Sequence, residues 1–436
     1  FSAESGLLSQ ILTVDADGKQ TEFNFSIEFM KYTTRSGGAY LFDPHGEDAT
    51  KLNYKKLLKW IRIEDGGDVR KRVCTNLTLV LHCVEFHPLL FEDGELLPFL
   101  HIWNMVDLRP SFNYELFMSL RNSNLNNRNE LFTDLNGFQF TKRKIYAQMP
   151  IQSNVFPMSS VAFIQSDTLR MSLLTAQPLG VTSMREGSLD VFLDRKLEQD
   201  DFKGLDEPIN DNRPFFSRFS LLFERIKSTT TQRRRRELAS LLAQIYSFDL
   251  LNPILKLRLL RNQDNHKIVD RESLIRENDD SERLPCDLRI VTMRRTAMNK
   301  NEFGLILHRL AYDDCQDSFI LSYPTRFRLN CFKKSTTATA ENNIYKFRDF
   351  FSFFYEKFAQ IYNLDNLIVT MKNFNQVNKL KVSVEKTMLS FGSVMNITNA
   401  KKKTMMDIDE FTFTSLKDLI EPMQLEAFKI YFDFIA

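Results

Sequence analysis

The stretch TEFNFSIEFMKY, residues 21–32, alternates large apolar side chains with polar ones. Phe23, Phe25, Ile27 and Phe29 occupy every second position. Because successive side chains of a β-strand point to opposite faces, a period of two predicts a strand with one buried face. A strand of this kind is typical of an antiparallel sheet, so the stretch favours a β-fold.

The same alternation recurs through residues 1–225. It is carried by Leu77, Leu79 and Leu81, by Leu169, Met171 and Leu173, and by Phe219, Leu221 and Phe223. Turn-forming residues separate the runs, at SGG (36–38), DPHG (43–46), DLNG (134–137) and EGS (186–188). Short strands divided by turns predict a mainly β protein with a large antiparallel β-sandwich in residues 1–225 and a few helices.

Residues 226–283 follow a different pattern. RRRRELASLLAQIYSF, residues 233–248, places Leu238, Leu241, Leu242 and Ile245 at helical spacing. This spacing predicts an amphipathic helix packed on the sheets, and the four arginines leave nucleic-acid binding and protease processing as alternatives. A polar stretch at 262–283 predicts an exposed linker.

A second β region is predicted for residues 284–436, beginning with LRIVTMRR (288–295) and FGLILHRL (303–310). It contains an atypical insertion at about 346–405 that is crowded with Phe, Tyr, Asn, Lys and Ile. An aromatic-rich core helix is one interpretation of the insertion. A translated intron or a low-complexity segment is the other, since these residue types have AT-rich codons.

The composition indicates a globular chain. The 436 residues are 43% hydrophobic and 26% charged with a net charge of +2, which excludes global disorder and a strong nucleic-acid-binding field. The five cysteines form no C-x-x-C pair, and no two of the six histidines form a metal-ligand motif. No nucleophile elbow, phosphate loop or dinucleotide fingerprint occurs either. The sequence therefore predicts no catalytic or metal-binding constellation within this chain.

The first residue is Phe1 rather than methionine, so we expect a processed product or a piece of a longer polypeptide. No window approaches the roughly 20 apolar residues of a membrane span, so any membrane anchor would lie upstream of Phe1.

Longer phrases stand in a fixed order along the chain: ELFTDLNGFQF (130–140), IQSNVFPM (151–158), RMSLLTAQPLGVTSMREGSLDVFLDRKLEQDDFKGL (170–205) and PCDLRIVTMR (285–294). Together with SGGAYLFDPHG (36–46) and VDLRPSFNYELFMSL (106–120), they resemble the C-terminal region of the alpha-mannosidases of glycoside hydrolase family 38, of the Golgi alpha-mannosidase II type. The resemblance runs from Phe1 to about Cys331 and returns at EPMQLEAFKIYF (421–432). It implies a galactose-mutarotase-like super-sandwich.

The resemblance also implies a function for a longer parent protein. That parent would hydrolyse α-linked mannose in N-glycan processing in the Golgi lumen, with retention and with zinc. In the family, the zinc ligands, the nucleophile and the general acid belong to an N-terminal α/β domain marked by Asp-Pro-Gly-Trp and His-His-Asp-Ala phrases. Neither phrase occurs here. We therefore expect that this chain is inactive alone, binds no zinc, and has as partners the N-terminal catalytic domain of the same polypeptide and a mannose-containing N-glycan, but no nucleic acid.

Two residues acquire a substrate role through the resemblance. The Gly-Ala-Tyr-Leu-Phe phrase places Tyr40 in the active-site wall, where a phenol offers an apolar face and a hydroxyl to a sugar. The Leu-Asp-Arg phrase places Arg195 at a strand end, where it would hold an active-site carboxylate or tyrosine. Asp200 and Asp201 would support that loop and meet Arg195 or the catalytic domain. The residues alone leave open a solvated charged loop.

Further expectations concern structure. Thr133, Asp134, Asn136 and Gly137 are expected in a structural turn, since Asp and Asn bond nearby backbone and Gly accepts positive φ. The family continues the Asp200–Asp201 phrase with Asn-Arg-Gly-Leu, whereas this chain has Phe202, Lys203, Gly204 and Leu205. The resemblance also favours Cys286, Cys315 and Cys331 over Cys74 with Cys83 as disulfide candidates.

Two other readings remain open at this point. The chain could be a free-standing carbohydrate-binding or interaction module, or it could be a truncated, inactive fragment from an incomplete gene model.

Overall fold

The computed structural model describes residues 1–14, 20–34, 36–46, 49–67, 71–91, 96–226, 237–253, 288–295, 302–313, 319–320, 380–387 and 425–434. The chain divides into two compact units. The first comprises Phe1–Lys256 and Tyr312–Arg328, and the second Leu257–Ala311 and Leu329–Ala436. The predicted boundaries at 225/226 and 283/284 differ from these, because the helical segment after residue 240 packs within the first unit.

The first unit contains a ten-stranded sheet. Its strands in spatial order are β11 (Gln139–Lys144), β10 (Glu130–Leu135), β13 (Val161–Gln165), β14 (Leu169–Thr175), β17 (Phe215–Arg225), β8 (Leu96–Val106), β7 (Val80–Phe91), β6 (Lys71–Leu77) and β5 (Leu58–Asp65), with β20 (Phe319–Ile320) paired to β7.

A six-stranded sheet forms the second layer. Its strands in order are β12 (Phe156–Met158), β15 (Leu179–Thr182), β16 (Ser188–Lys196), β9 (Tyr114–Asn122), β3 (Phe25–Thr33) and β4 (Thr50–Lys51), beside a separate hairpin of β1 (Ile11–Val14) and β2 (Gln20–Phe23). The layers pack face to face, since Phe25 contacts Phe223 with 5.3 Å between ring centroids. All strand pairs among the described residues are antiparallel, so the predicted antiparallel sandwich is confirmed.

The alternation in β3 follows the prediction. Phe25, Ile27 and Phe29 are buried in the core between the layers, while Ser26 and Glu28 remain partly exposed. Removal of each large apolar side chain from water contributes about 1.5–3 kcal/mol, so this face holds the sandwich together.

The prediction of one strand through Leu77, Leu79 and Leu81 is wrong. The chain turns at Thr78 and Leu79, so that Leu77 ends β6 and pairs with Val80 at the start of β7. The Thr78 N–H donates to the Leu57 carbonyl. The turn contains neither glycine nor proline, so no local signal marked it.

The disulfide expectation is also wrong for one pair. Cys74 in β6 and Cys83 in β7 lie directly opposite each other, with 4.1 Å between their Cα atoms, and form a disulfide. The register of the β6–β7 hairpin brings the two cysteines together. The sequence prediction had no turn at Thr78 and Leu79, so it did not pair these strands. Cys286, Cys315 and Cys331 lie outside the described residues.

The described helices are α1 (Tyr54–Leu57), α2 (Leu241–Leu251) and a 3₁₀-helix (Ile151–Asn154). The prediction of a helix that includes Leu238 is wrong, since α2 begins after Ser240. The Ser240 side chain accepts from the Ala243 N–H at 2.9 Å, as a helix-capping serine does. The helix packs on β14 and β17, and the four arginines lie outside the described residues.

The second unit contains a four-stranded sheet in the order β18 (Leu288–Arg295), β19 (Glu302–Arg309), β22 (Leu425–Phe434) and β21 (Leu380–Thr387). The predicted strands at 288–295 and 303–310 correspond to β18 and β19. Part of the aromatic-rich insertion is β21, and the rest of it lies outside the described residues, as does the linker at 262–283.

Candidate functional site

The candidate site centres on the loop of residues 36–46, which we call the tyrosine loop. It follows β3, and a bridge between Thr34 and Pro44 closes its base. Tyr40 stands near its middle with 63% of its surface exposed, beside Leu41 at 41%. The loop therefore presents an aromatic ring to the outside of the sandwich.

Arg195 holds this loop from the end of β16. Its Nη2 donates to the carbonyl oxygens of Gly38 at 2.9 Å and Leu41 at 2.8 Å. Its Nε donates to Glu115 Oε1 at 2.6 Å, on the neighbouring strand β9. Arg195 thus links the tyrosine loop to a buried carboxylate within the sheet.

Glu115 is the carboxylate partner that sequence reasoning missed. Its side chain is fully buried, while that of Arg195 is 24% exposed. Burial raises the pKa of the Glu115 carboxyl, and the Arg195 guanidinium opposes that rise. A lone acid in the apolar run YELFMSL was a signal of a buried pair, but its partner depends on the pairing of β9 with β16.

Asp201 and Gln199 hold the same loop from a second side. Asp201 Oδ2 accepts from the N–H groups of Tyr40 at 2.7 Å and Leu41 at 2.9 Å. Gln199 Nε2 donates to the Gly37 carbonyl at 2.8 Å. We call Arg195, Gln199 and Asp201 the loop clamp.

The charge of Asp201 suits this role. Burial raises the pKa of its carboxyl. The hydrogen bonds from the N–H groups of Tyr40, Leu41 and Lys203 lower the pKa by more than burial raises it, so the pKa lies below its usual range. Asp201 is therefore an ionised acceptor at neutral pH.

Gly38 makes the close approach possible. A Cβ at this position would lie 2.5 Å from the Asp201 backbone nitrogen, so any side chain would push the loop and the clamp apart. The glycine of the SGG turn thus has a packing role.

The two acids after β16 also accept hydrogen bonds from the backbone of their own turn. Asp200 Oδ2 accepts from the Phe202 N–H at 2.7 Å, and Asp201 Oδ1 accepts from the Lys203 N–H at 3.3 Å. Neither acid is bonded to Arg195, all three residues being among those described. Asp200 therefore organises the turn at 200–204.

The TDLNG residues lie in the ten-stranded sheet. Asn136 and Gly137, with φ of 57° and 74°, form the turn between β10 and β11. Buried Asp134 accepts from the Ser160 N–H and the Val161 N–H, both at 2.8 Å. Buried Thr133 precedes it in β10. These bonds tie the hairpin to β13 and bring none of its residues to the tyrosine loop.

A pocket of about 440 Å³ borders Arg195. Asn212 Nδ2 donates there to Asp194 Oδ2 at 2.9 Å and to the Arg195 carbonyl at 2.8 Å. Burial is the main cause that raises the pKa of Asp194. Phe192 and Phe215 add apolar walls. These bonds fix the backbone that carries Arg195.

Within the described residues, no group of three or more His, Cys, Asp or Glu side chains is placed to hold a metal ion. None of the described helices has the length and apolarity to cross a membrane.

Comparisons with known proteins place this chain in a family. Residues 1–203 match the model of the glycosyl hydrolases family 38 C-terminal domain. Human Alpha-mannosidase 2 is 31% identical over 320 residues, covering 71% of this chain and 27% of the relative. Rat Alpha-mannosidase 2 is 33% identical over 325 residues, and the Drosophila melanogaster protein of that name is 28% identical over 321.

A solved structure titled as an alpha-mannosidase from Enterococcus faecalis V583 matches with a TM-score of 0.43 at 9% identity. The match covers 70% of this chain and 37% of the chain in that structure. The chain spans about 27% of the length of the mammalian relatives. The resemblance inferred from the sequence is thus confirmed: residues 1–203 correspond to the C-terminal domain of the glycosyl hydrolases of family 38.

Proposed function

We propose that this chain is the C-terminal part of an alpha-mannosidase and that Tyr40 forms one wall of its sugar pocket. The supporting observation is the contrast between backbone and ring in the tyrosine loop. Five hydrogen bonds from the loop clamp fix the backbone of residues 37–41, yet the Tyr40 ring is 63% exposed. An exposed ring carried by an ordered backbone is suited to contact a ligand or a facing domain.

The chemistry of a phenol suits a sugar. Its ring face packs on the C–H groups of a pyranose, and its hydroxyl exchanges hydrogen bonds with a sugar hydroxyl. The loop clamp lowers the entropy that binding would otherwise cost, because the backbone that carries Tyr40 is already ordered.

The reacting groups lie elsewhere in this proposal. Retaining hydrolysis of an α-mannoside needs two carboxyl groups about 5 Å apart, one as nucleophile and one as acid and base. The proposal assigns them, with the zinc, to an N-terminal α/β domain of the same polypeptide. The 436 residues alone are then inactive, since a wall tyrosine and a partly buried arginine supply neither attack nor proton transfer.

The proposed compartment is the Golgi lumen, and the proposed substrate is an N-glycan with α-linked mannose. The disulfide between Cys74 and Cys83 supports a secretory location, because disulfides persist in oxidising compartments and are rare in the cytosol. The relatives named Alpha-mannosidase 2 support the substrate class.

The experiment uses an antibody raised to residues 120–205 to isolate the native polypeptide from its source. We expect a species far larger than 51.2 kDa that releases mannose from α-mannosides, and no such activity from the purified 436 residues. A native species of 51.2 kDa that binds glycans without hydrolysis would refute the proposal and favour a free-standing carbohydrate-binding module.

A further inference from the structure

Phe202 is the most exposed large apolar residue beside the loop clamp. Its surface is 87% exposed, more than that of Tyr40 at 63%. The residue follows Asp201 directly, and the Asp201 carboxylate binds the Tyr40 N–H. One carboxylate thus links the backbones that carry two exposed aromatic rings.

The backbone of Phe202 is unfavourable for its side chain. Its φ is 55°, in the left-handed region that bulky residues rarely adopt and that Asn or Gly adopts readily. The bond from its N–H to Asp200 Oδ2 and the bond from the Lys203 N–H to Asp201 Oδ1 hold the turn. The family phrase has Asn at this position, which would relieve the strain. Neither the exposed position nor the left-handed backbone favours a phenylalanine for the stability of this turn.

We infer that Phe202 is a specificity-determining residue that stacks on a second sugar unit of an oligosaccharide, next to the unit that lies against Tyr40. This inference rests on the proposed function and adds to it a subsite made by this chain. An exposed aromatic face binds the apolar face of a pyranose without requiring a particular hydroxyl pattern. The residue therefore favours oligosaccharides over simple monosaccharide glycosides.

The test is steady-state kinetics of the native polypeptide that contains this chain, on an oligomannose N-glycan and on p-nitrophenyl α-mannoside. We expect Phe202→Ala to raise KM for the oligosaccharide about tenfold, the equivalent of about 1.4 kcal/mol of binding. The KM for the aryl mannoside and both kcat values should stay within about twofold. Phe202→Trp should restore the oligosaccharide KM. Phe216→Ala, which removes a 64% exposed ring from β17, is the matched control and should change neither KM.

A second variant separates binding from a structural role. Phe202→Asn should raise the unfolding midpoint, because Asn tolerates the left-handed backbone, while it raises the oligosaccharide KM as Phe202→Ala does. A lower midpoint with equal losses on both substrates would instead assign Phe202 to packing against a facing domain and overturn the inference.

The same kinetics distinguish failure of this inference from failure of the proposed function. Full α-mannosidase activity with an unchanged oligosaccharide KM in Phe202→Ala refutes this inference alone. Absence of α-mannosidase activity from the unsubstituted native polypeptide refutes the proposed function, and this inference with it.

Discussion

Replacement of Arg195 by methionine should destabilise the first unit by about 3 kcal/mol, at the lower end of the cost of breaking a buried ion pair, because Glu115 is buried but Arg195 is partly exposed. The guanidinium makes three hydrogen bonds, one to Glu115 and two to the carbonyl oxygens of Gly38 and Leu41. Without it, Glu115 stays in a fully buried position and must take up a proton, since burial already raises its pKa.

Arg195→Lys should lower the free energy of unfolding by less than Arg195→Met does. A single ammonium keeps the charge but cannot reach Glu115 and both carbonyl groups at once. It should lose about two hydrogen bonds at about 1 kcal/mol each, so Arg195→Lys should cost about 2 kcal/mol. Arg218→Met removes an exposed arginine from β17 and should change stability by less than about 0.5 kcal/mol, which makes it the matched control.

The assay is urea unfolding of the chain at pH 7, followed by tryptophan fluorescence. A double-mutant cycle of Arg195→Met with Glu115→Gln should show a coupling energy of about 2 kcal/mol. Removal of either partner should cost more stability while the other partner is still present. If Arg195→Met and Arg218→Met unfold at the same urea concentration, the loop clamp does not contribute to stability and the reasoning fails.

Three further predictions concern the same unit. Asp201→Asn removes the charge that accepts the Tyr40 N–H, so hydrogen exchange at the Tyr40 amide should accelerate at least tenfold; an unchanged rate would mean that another group protects it. Cys83→Ser opens the disulfide to Cys74 and should lower the free energy of unfolding by about 2–3 kcal/mol in the absence of reductant, whereas reductant should lower that of the unsubstituted chain to match. Burial lowers the pKa of His82 from 6.5 to about 4, although a hydrogen bond to Asn104 opposes the shift. The unfolded state then binds a proton below pH 6.5 that the folded state does not bind, so His82 should contribute a fall in stability of about 2 kcal/mol between pH 7 and pH 5. Urea titrations of the unsubstituted chain and of His82→Gln at both pH values isolate this contribution, and an equal pH dependence of the two would contradict the shift.

The strands of the sandwich could be predicted where one face is buried. The alternation of Phe25, Ile27 and Phe29 with polar residues is a local pattern, and local patterns can be read from sequence. The hairpin turn at Thr78 and Leu79 could not be predicted, because apolar residues continue through it without glycine or proline. The Cys74–Cys83 pair was missed for the same reason.

The site was predictable in part. The phrases around Tyr40 and Arg195 singled out both residues, and the structure places Arg195 against the loop that carries Tyr40. The partner of Arg195 could not be predicted from the sequence. Glu115 lies beside Arg195 only because of the register of β9 with β16, which includes a bulge after Phe192. Register is a long-range property of the sheet and leaves no mark in either strand alone.

The central claim is that Tyr40 lines the sugar pocket. The most direct measurement compares kcat/KM for an α-mannoside between the unsubstituted native polypeptide and its Tyr40→Ala variant. Because Tyr40 is 63% exposed, its removal should leave the unfolding midpoint unchanged within about 1 °C. We expect kcat/KM to fall about 100-fold or more, the equivalent of about 3 kcal/mol of lost transition-state stabilisation. Unchanged kcat/KM in the folded variant would show that Tyr40 does not line the sugar pocket and would contradict the account.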